Sequence, residues 1–427
     1  MRGFRGLSLA LMLTGLLLPL SAAAQKETKD TKEAEKQLGL ALIRSDEAEK
    51  QQLYQRALAA LQPAFTNDAN NALVWKLAGE AHAGLGHMAE ADEAFDKAEQ
   101  MHAEYAEEIE GLRETAWITG FKLGVSQLDA GQTDEALATL TAANALYDKR
   151  PEGYLNIASI HAQKLEIEPA IAALERAIET SHGPLYEQLD SAGQAQWRDL
   201  RRMATTNIGQ LHGAAGVEAF QAQDFEAAQS WFEKARETNP YARDYLFNVV
   251  QAKWQQAQRI ENRIKETPAS AEQEYPQLRQ IYENIKAQIP EIQEVDPNNE
   301  QLVLMLAQIE KRFAEMRGDS AQAAGRAAYA VLQKLETMPV ALDEISVESS
   351  EGTAQIQGKL KNLNLAAATP VTINLTLIGQ DGSQVGTAQV RVNAPPNAEG
   401  EQAIVPFEGT APVTAPVAGW RYTVDAS

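Results

Sequence analysis

Small and large apolar positions recur along most of the chain in a fixed ladder. Gly209 to Ala242 carries Gly216, Ala228, Phe232, Ala235 and Pro240, at spacings of 12, 4, 3 and 5. The same ladder appears as Gly79/Ala91/Phe95/Ala98, Gly124/Ala136/Leu140/Ala143 and Ala158/Ala170/Leu174/Ala177, the last two 34 residues apart throughout. Such a period predicts a stack of helix pairs, each unable to bury its apolar face alone. Gly or Ala at the eighth position lets helix A approach its neighbour. Ala at the twentieth and twenty-seventh does the same on helix B, and Phe or Leu between them fills the gap.

The pattern changes at Met338-Pro339. Val371, Ile373, Leu375 and Leu377 alternate with Thr372, Asn374 and Thr376, a period of two that predicts a strand. Gln380-Asp381-Gly382-Ser383 supplies a tight turn, and Val385, Val390 and Val392 return. Ala354, Ile356 and Leu360 predict an earlier strand, Val405 and Phe407 a later one, and Trp420, Tyr422 and Val424 the last. Short strands at this density point to an antiparallel β-sandwich over 340–427, folding apart from the helices.

The ladder resembles tetratricopeptide repeats over 72–105, 117–150, 151–184 and 209–242, and over 38–71 through Ala57, Leu61 and Ala64. The resemblance implies an all-α solenoid over 38–338 that binds a protein or peptide partner and has no catalytic centre. It also implies a groove lined by helix-A positions two, five, nine, twelve and thirteen. In this sequence those include Ile118, Phe121, Val125 and Leu128, then Leu155, then Gln210, Gly213, Val217, Phe220 and Gln221. Ile118, Phe121, Val125, Leu128 and Leu155 make an apolar row for an amphipathic or extended segment, unless the insertion 106–116 or the N-terminal helices cover it. The Lys/Asn clamp known for C-terminal carboxylates has no match. Residues 340–427 resemble the small immunoglobulin-like sandwiches of the FxLYD kind in bacterial envelope proteins, through Gly358, Asn362, Leu375 to Gly382 and Gly419 to Tyr422.

Between the repeats, 106–116 and 185–208 are insertions of helical composition, and Asp190-Ser191 is placed to cap a long helix running towards Gly216. After Ala242 the repeat loosens into a longer helix ended at Thr267-Pro268, a helix following Pro276, and a hairpin turning at Arg317-Gly318-Asp319.

The N-terminus adds a compartment. Arg2 and Arg5 precede the apolar run Leu7 to Leu20, and Ser21-Ala22-Ala23-Ala24 precedes Gln25. This predicts a secretory signal peptide over 1–24 with cleavage after Ala24, and a periplasmic or secreted protein. Residues 25–37 are polar without apolar periodicity and predict a flexible tether. No later stretch is long enough to span a bilayer.

Charge and chemistry narrow the function further. A net charge of −21 argues against nucleic acid as a partner. The absence of cysteine excludes disulfides and thiolate metal sites. The six histidines form neither His-Glu-x-x-His nor a three-ligand set, and neither Gly-x-Ser-x-Gly nor a phosphate loop occurs, so no cofactor, metal or catalytic residue is expected. Acidic residues crowd 88–114, with Glu90, Asp92, Glu93, Asp96, Glu99, Glu104, Glu107 and Glu108 among them. They are either a solvated helix face or a surface for a cationic partner. The expectation is an exported scaffold of the bacterial envelope. A surface adhesion module binding glycan or peptidoglycan through the sandwich is the alternative, and an enzyme with a site between the two domains a further one.

Overall fold

The computed structural model describes residues 26–396 and 404–426. The segment 1–24, expected to be a signal peptide, lies outside the described residues. The chain divides into two compact units, one running up to Ala204 and one from Thr205 onward.

The first unit begins with α1 (Lys29–Leu42), α2 (Glu47–Leu61), the short α3 (Ala64–Asn67), α4 (Ala72–Gly84) and α5 (Met88–Met101). The expected tether over 25–37 is instead largely helical. Thr28 caps α1 in a reciprocal pair with Thr31, and Ala34, Leu38 and Ala41 are buried. Of that stripe, only Ala34 falls inside 25–37; Leu38 and Ala41 lie beyond it, so a window ending at Gln37 hides the periodicity. Next come α6 (Ala106–Asp129), α7 (Thr133–Leu146), α8 (Pro151–Gln163), α9 (Ile167–Thr180) and the five-residue α10 (Pro184–Gln188). Helix α11 (Ser191–Gln221) crosses the boundary between the units.

The insertion 106–116 forms the first turns of α6, and 191–208 the first turns of α11. Asp190 accepts from the Gly193 N–H at 2.8 Å ahead of α11, where the sequence places a cap.

The ladder packs as its spacing requires. A Cβ built on Gly79 would lie 2.5 Å from the Phe95 ring, one on Gly124 2.6 Å from Leu140, and one on Gly216 2.5 Å from Phe232. No real Cβ tolerates such distances, so in these three repeats helix A sits against the large residue of helix B because the eighth position is glycine; in 151–184 it is Ala158, whose small methyl is buried. The alanines at the twentieth and twenty-seventh positions, among them Ala91, Ala98, Ala136, Ala143, Ala170, Ala177, Ala228 and Ala235, are fully buried. The hairpin turns need a left-handed residue, supplied by Gly86 and Gly131 at φ 79° and 77°.

The second unit adds α12 (Phe225–Thr238), α13 (Arg243–Glu266), α14 (Ala271–Val295), α15 (Glu300–Met316) and α16 (Ala321–Thr337). Helix α14 does not wait for Pro276 but starts at Ala271 and contains both Pro276 and Pro290. An interior proline costs a helix about 3 kcal/mol. The buried stripe Leu278, Tyr282, Ile285, Ile289 and Ile292 outweighs that cost, since each large apolar side chain contributes about 1.5–3 kcal/mol. Inside this bundle the Tyr282 hydroxyl donates to Glu261 at 2.5 Å and Arg312 Nε donates at 2.8 Å. Burial alone would raise the Glu261 pKa, but Arg312 and Tyr282 more than offset it and the carboxyl titrates below its ordinary range.

Six strands follow: β1 (Val340–Ser350), β2 (Thr353–Asn362), β3 (Pro370–Ile378), β4 (Gln384–Asn393), β5 (Ile404–Pro412) and β6 (Gly419–Ala426). They form two antiparallel sheets, ordered β1-β2-β5 and β4-β3-β6. Leu342, Ile356, Leu360 and Phe407 from one sheet share a core with Ile373, Leu375, Leu377 and Tyr422 from the other. Strand β1 was not legible as a strand. Its apolar residues Val340, Leu342, Ile345 and Val347 change phase at a bulge between Asp343 and Ser346, where Glu344 has φ 50°.

The register carries a direct test. Ala143 is fully buried, and a Cβ on Gly120 would meet its methyl at 2.9 Å, whereas Ala138 is exposed. Ala143→Leu should cost about 1–3 kcal/mol and lower the melting temperature, with Ala138→Leu nearly silent. Equal melting curves for the two variants would mean the register is wrong.

Candidate partner-binding groove

The apolar row of the first unit sits on α6 and α8. Ile118, Phe121, Val125, Leu128 and Leu155 are all half-buried. Phe121 stacks on Trp117 with ring centres 4.9 Å apart and planes 13° from parallel. Ile118, Phe121 and Leu185 pack around Trp117, Ala143 and Tyr147, and Trp117 Nε1 donates to Asn144 at 2.8 Å. Burial, then the nearby Glu114 and Glu110, push the Tyr147 hydroxyl up to about 12. Residues 106–116 do not cover this row, because they are continuous with the helix that bears it. Leu185, from the other insertion, lies against its N-terminal end.

The acidic run is partly ion-paired but largely exposed, with Glu90, Glu93, Asp96, Glu104, Glu107 and Glu108 all open to solvent. Arg113, itself buried, donates to Asp92 and Asp96 and lies 3.8 Å from Glu99, tying α6 to α5. Glu93 pairs with Lys97 at 2.6 Å, Glu108 with Lys76 at 2.6 Å, and Glu104 lies 3.4 Å from His102. Glu90 and Glu107 are exposed. Lys76 lies a whole helix before the run, beyond the reach of a local count of charges.

In the second unit, α11 and α13 border an open pocket of about 430 Å³. Val217, Phe220 and Gln221 enter from α11, Phe232 from α12, and Phe247, Asn248, Gln251 and Gln255 from α13. Val217, Phe220 and Gln221 are groove positions nine, twelve and thirteen of the last complete repeat. Counting onward from Arg243 puts Phe247 at position five, Gln251 at nine and Gln255 at thirteen. Counted this way the groove positions extend one helix further, although position eight is Val250 rather than a small residue. The signal was the absence of any gap between Ala242 and Arg243. It was masked because α13, at 24 residues, outruns a repeat helix.

The β strands, whose apolar core is made of residues from Val340 onward, meet the helical segment around α13–α15 through buried polar bonds and lie in the same compact unit as these helices. Asp296 is fully buried. It accepts from Arg243 Nε at 2.9 Å and Nη2 at 2.5 Å, from Asn299 at 2.8 Å, and from the Tyr422 hydroxyl of β6. Burial, then the charge of Asp296, raise the Tyr422 pKa well above the usual tyrosine value. Asn239 donates to the Ala418 carbonyl at 2.7 Å and Asn298 to the Val340 carbonyl at 2.8 Å. A Cβ on Gly419 would lie 2.1 Å from the Tyr241 carbonyl oxygen, so only glycine fits there. These contacts were invisible to a reading by periodicity, because each joins residues far apart in sequence.

Among the described residues no group of three or more His, Asp or Glu side chains is placed to hold a metal ion, and no helix is long and apolar enough to cross a membrane.

No family model matches the chain, and comparison with curated proteins finds no relative. Among solved structures, the C-terminal part of a TPR repeat-containing protein from Cytophaga hutchinsonii is 14% identical, covering 72% of this chain and 95% of its own, with a TM-score of 0.23. MamA from Desulfovibrio magneticus RS-1 is 17% identical over 50% of this chain and 97% of its own, at a TM-score of 0.20. PilF from Pseudomonas aeruginosa is 16% identical over 53% and 94%, at 0.18. None of these likenesses bears on what the chain binds.

Breaking the Asp296 bond set tests the junction. Asp296→Asn leaves the largely buried Arg243 with only the exposed Asp244 as counter-charge and should cost about 3 kcal/mol, whereas Tyr422→Phe should cost about 1–3 kcal/mol. Chemical denaturation followed by tryptophan fluorescence measures both. An Asp296→Asn variant as stable as the parent would show that the junction does not hold.

Proposed function

We propose that the chain is an exported, non-catalytic scaffold of the bacterial envelope that holds a protein partner in the groove of its tetratricopeptide-like helix pairs. The observation that carries this reading is the cavity between α11 and α13, which falls on the repeat's groove positions from both helices. A concave site with an apolar floor and a few polar groups is what binding sites ordinarily look like. We read the paired sheets as an immunoglobulin-like sandwich that closes the chain's helical part. Export rests on the N-terminal signal pattern.

Two observations weigh against the other readings. The stretch 340–427 contains three aromatics, Phe407, Trp420 and Tyr422, and all three are buried, which leaves a glycan without a ring to stack on. At the junction where an enzyme's site would lie, Asp296 is saturated by donors and closed to solvent.

Crosslinked affinity capture from intact envelopes tests the proposal. The parent should retain a partner that Phe247→Ala loses by tenfold or more, with little change in helicity. A partner held equally by both, and lost when an exposed β-strand residue such as Glu408 is altered, would move binding to the sheets. N-terminal sequencing of the exported protein should return Gln25; Met1 recovered from the cytosol would contradict export.

A further inference from the structure

The lining of the α11–α13 cavity has a chemistry of its own. We propose, building on the groove reading above, that it takes an extended, uncharged stretch of polypeptide anchored by one bulky apolar side chain.

No charged residue lines the cavity, although the chain carries 38 basic and 59 acidic residues. The lining therefore offers a ligand no ion pair. A charged side chain entering it would lose its hydration without gaining a counter-ion, a cost that grows with burial. The site discriminates against charge rather than attracting it.

Its two kinds of lining residue divide the work. Val217, Phe220 and Phe247 give an apolar wall, with Val217 44% exposed. A volume of about 430 Å³ accommodates one large aliphatic or aromatic side chain together with the backbone on either side. The rim is made of carboxamides. Asn248, Gln251 and Gln255 stand on one side of α13. Each carboxamide offers an acceptor oxygen and an NH2 donor, the same complementary pair that a peptide group presents. Gln251 Nε2 also reaches Gln301 at 3.4 Å, close to the limit for a hydrogen bond, so it exchanges that contact at little cost.

The spacing fits as well. Gln251 and Gln255 are separated by four residues of helix, a rise of about 6 Å. Peptide groups facing the same way along an extended chain repeat every two residues, or about 6.8 Å. Successive same-side peptide groups of a bound strand therefore fall within reach of successive carboxamides. A helical ligand turns its own backbone donors and acceptors inward and has nothing to offer this rim.

Selection of a displayed random 12-residue peptide library on the purified full-length chain tests the proposal. Binding of the enriched peptides is then measured by fluorescence anisotropy. Enriched sequences should carry one aromatic or large aliphatic residue within an uncharged stretch. Their affinity should fall tenfold or more on Phe247→Ala and on Gln251→Glu, while Gln251→Glu leaves the melting curve in place. Charged peptides whose binding still depends on Phe247 would overturn the chemistry and leave the groove reading standing. Peptides indifferent to both variants but lost on Phe121→Ala would overturn this site and move the groove to α6. An unenriched library would overturn the site outright.

Discussion

The structure depends on how closely two helices can approach. At Gly79, Gly124 and Gly216 the gap between helix A and the facing Phe95, Leu140 or Phe232 is too small for even one added carbon. The repeat follows from that constraint. A side chain at any of these three glycines would force the two helices of its hairpin apart.

Much of this was legible because it is periodic. The Gly/Ala–Phe/Leu ladder placed the hairpins, the long α11 followed from Asp190-Ser191, and the alternation from Val371 to Leu377 placed β3. What was missed breaks periodicity locally. Helix α1 starts in a polar stretch whose apolar stripe continues past Gln37, β1 changes phase at its bulge, and α14 tolerates Pro276 and Pro290 because tertiary burial outweighs propensity. The junction was beyond sequence reasoning altogether. Arg243, Asp296 and Tyr422 come from three distant segments, and nothing local marks any of them.

The same contrast applies to function. The apolar row on α6 could be read from the repeat, yet Phe121 is engaged by Trp117. The acidic run could be counted, and Arg113, Lys76 and Lys97 pair with part of it. The cavity between α11 and α13 needed the register to be carried past Ala242 into a helix too long to look like a repeat. Fixing the sheets through the buried Asp296 also gives α13 a firm N-terminal end, since Arg243 opens that helix and anchors it. The residues that line the cavity are thereby carried on a rigid element, which favours a preformed site.

Site-directed photo-crosslinking tests the central claim most directly. A photoreactive amino acid would replace Gln251 in the cavity in one sample and Glu408 on the exposed face of β5 in another, each irradiated in intact envelopes. A crosslinked partner from position 251 and none from position 408 is the expected result. Crosslinks from position 408 alone would contradict it.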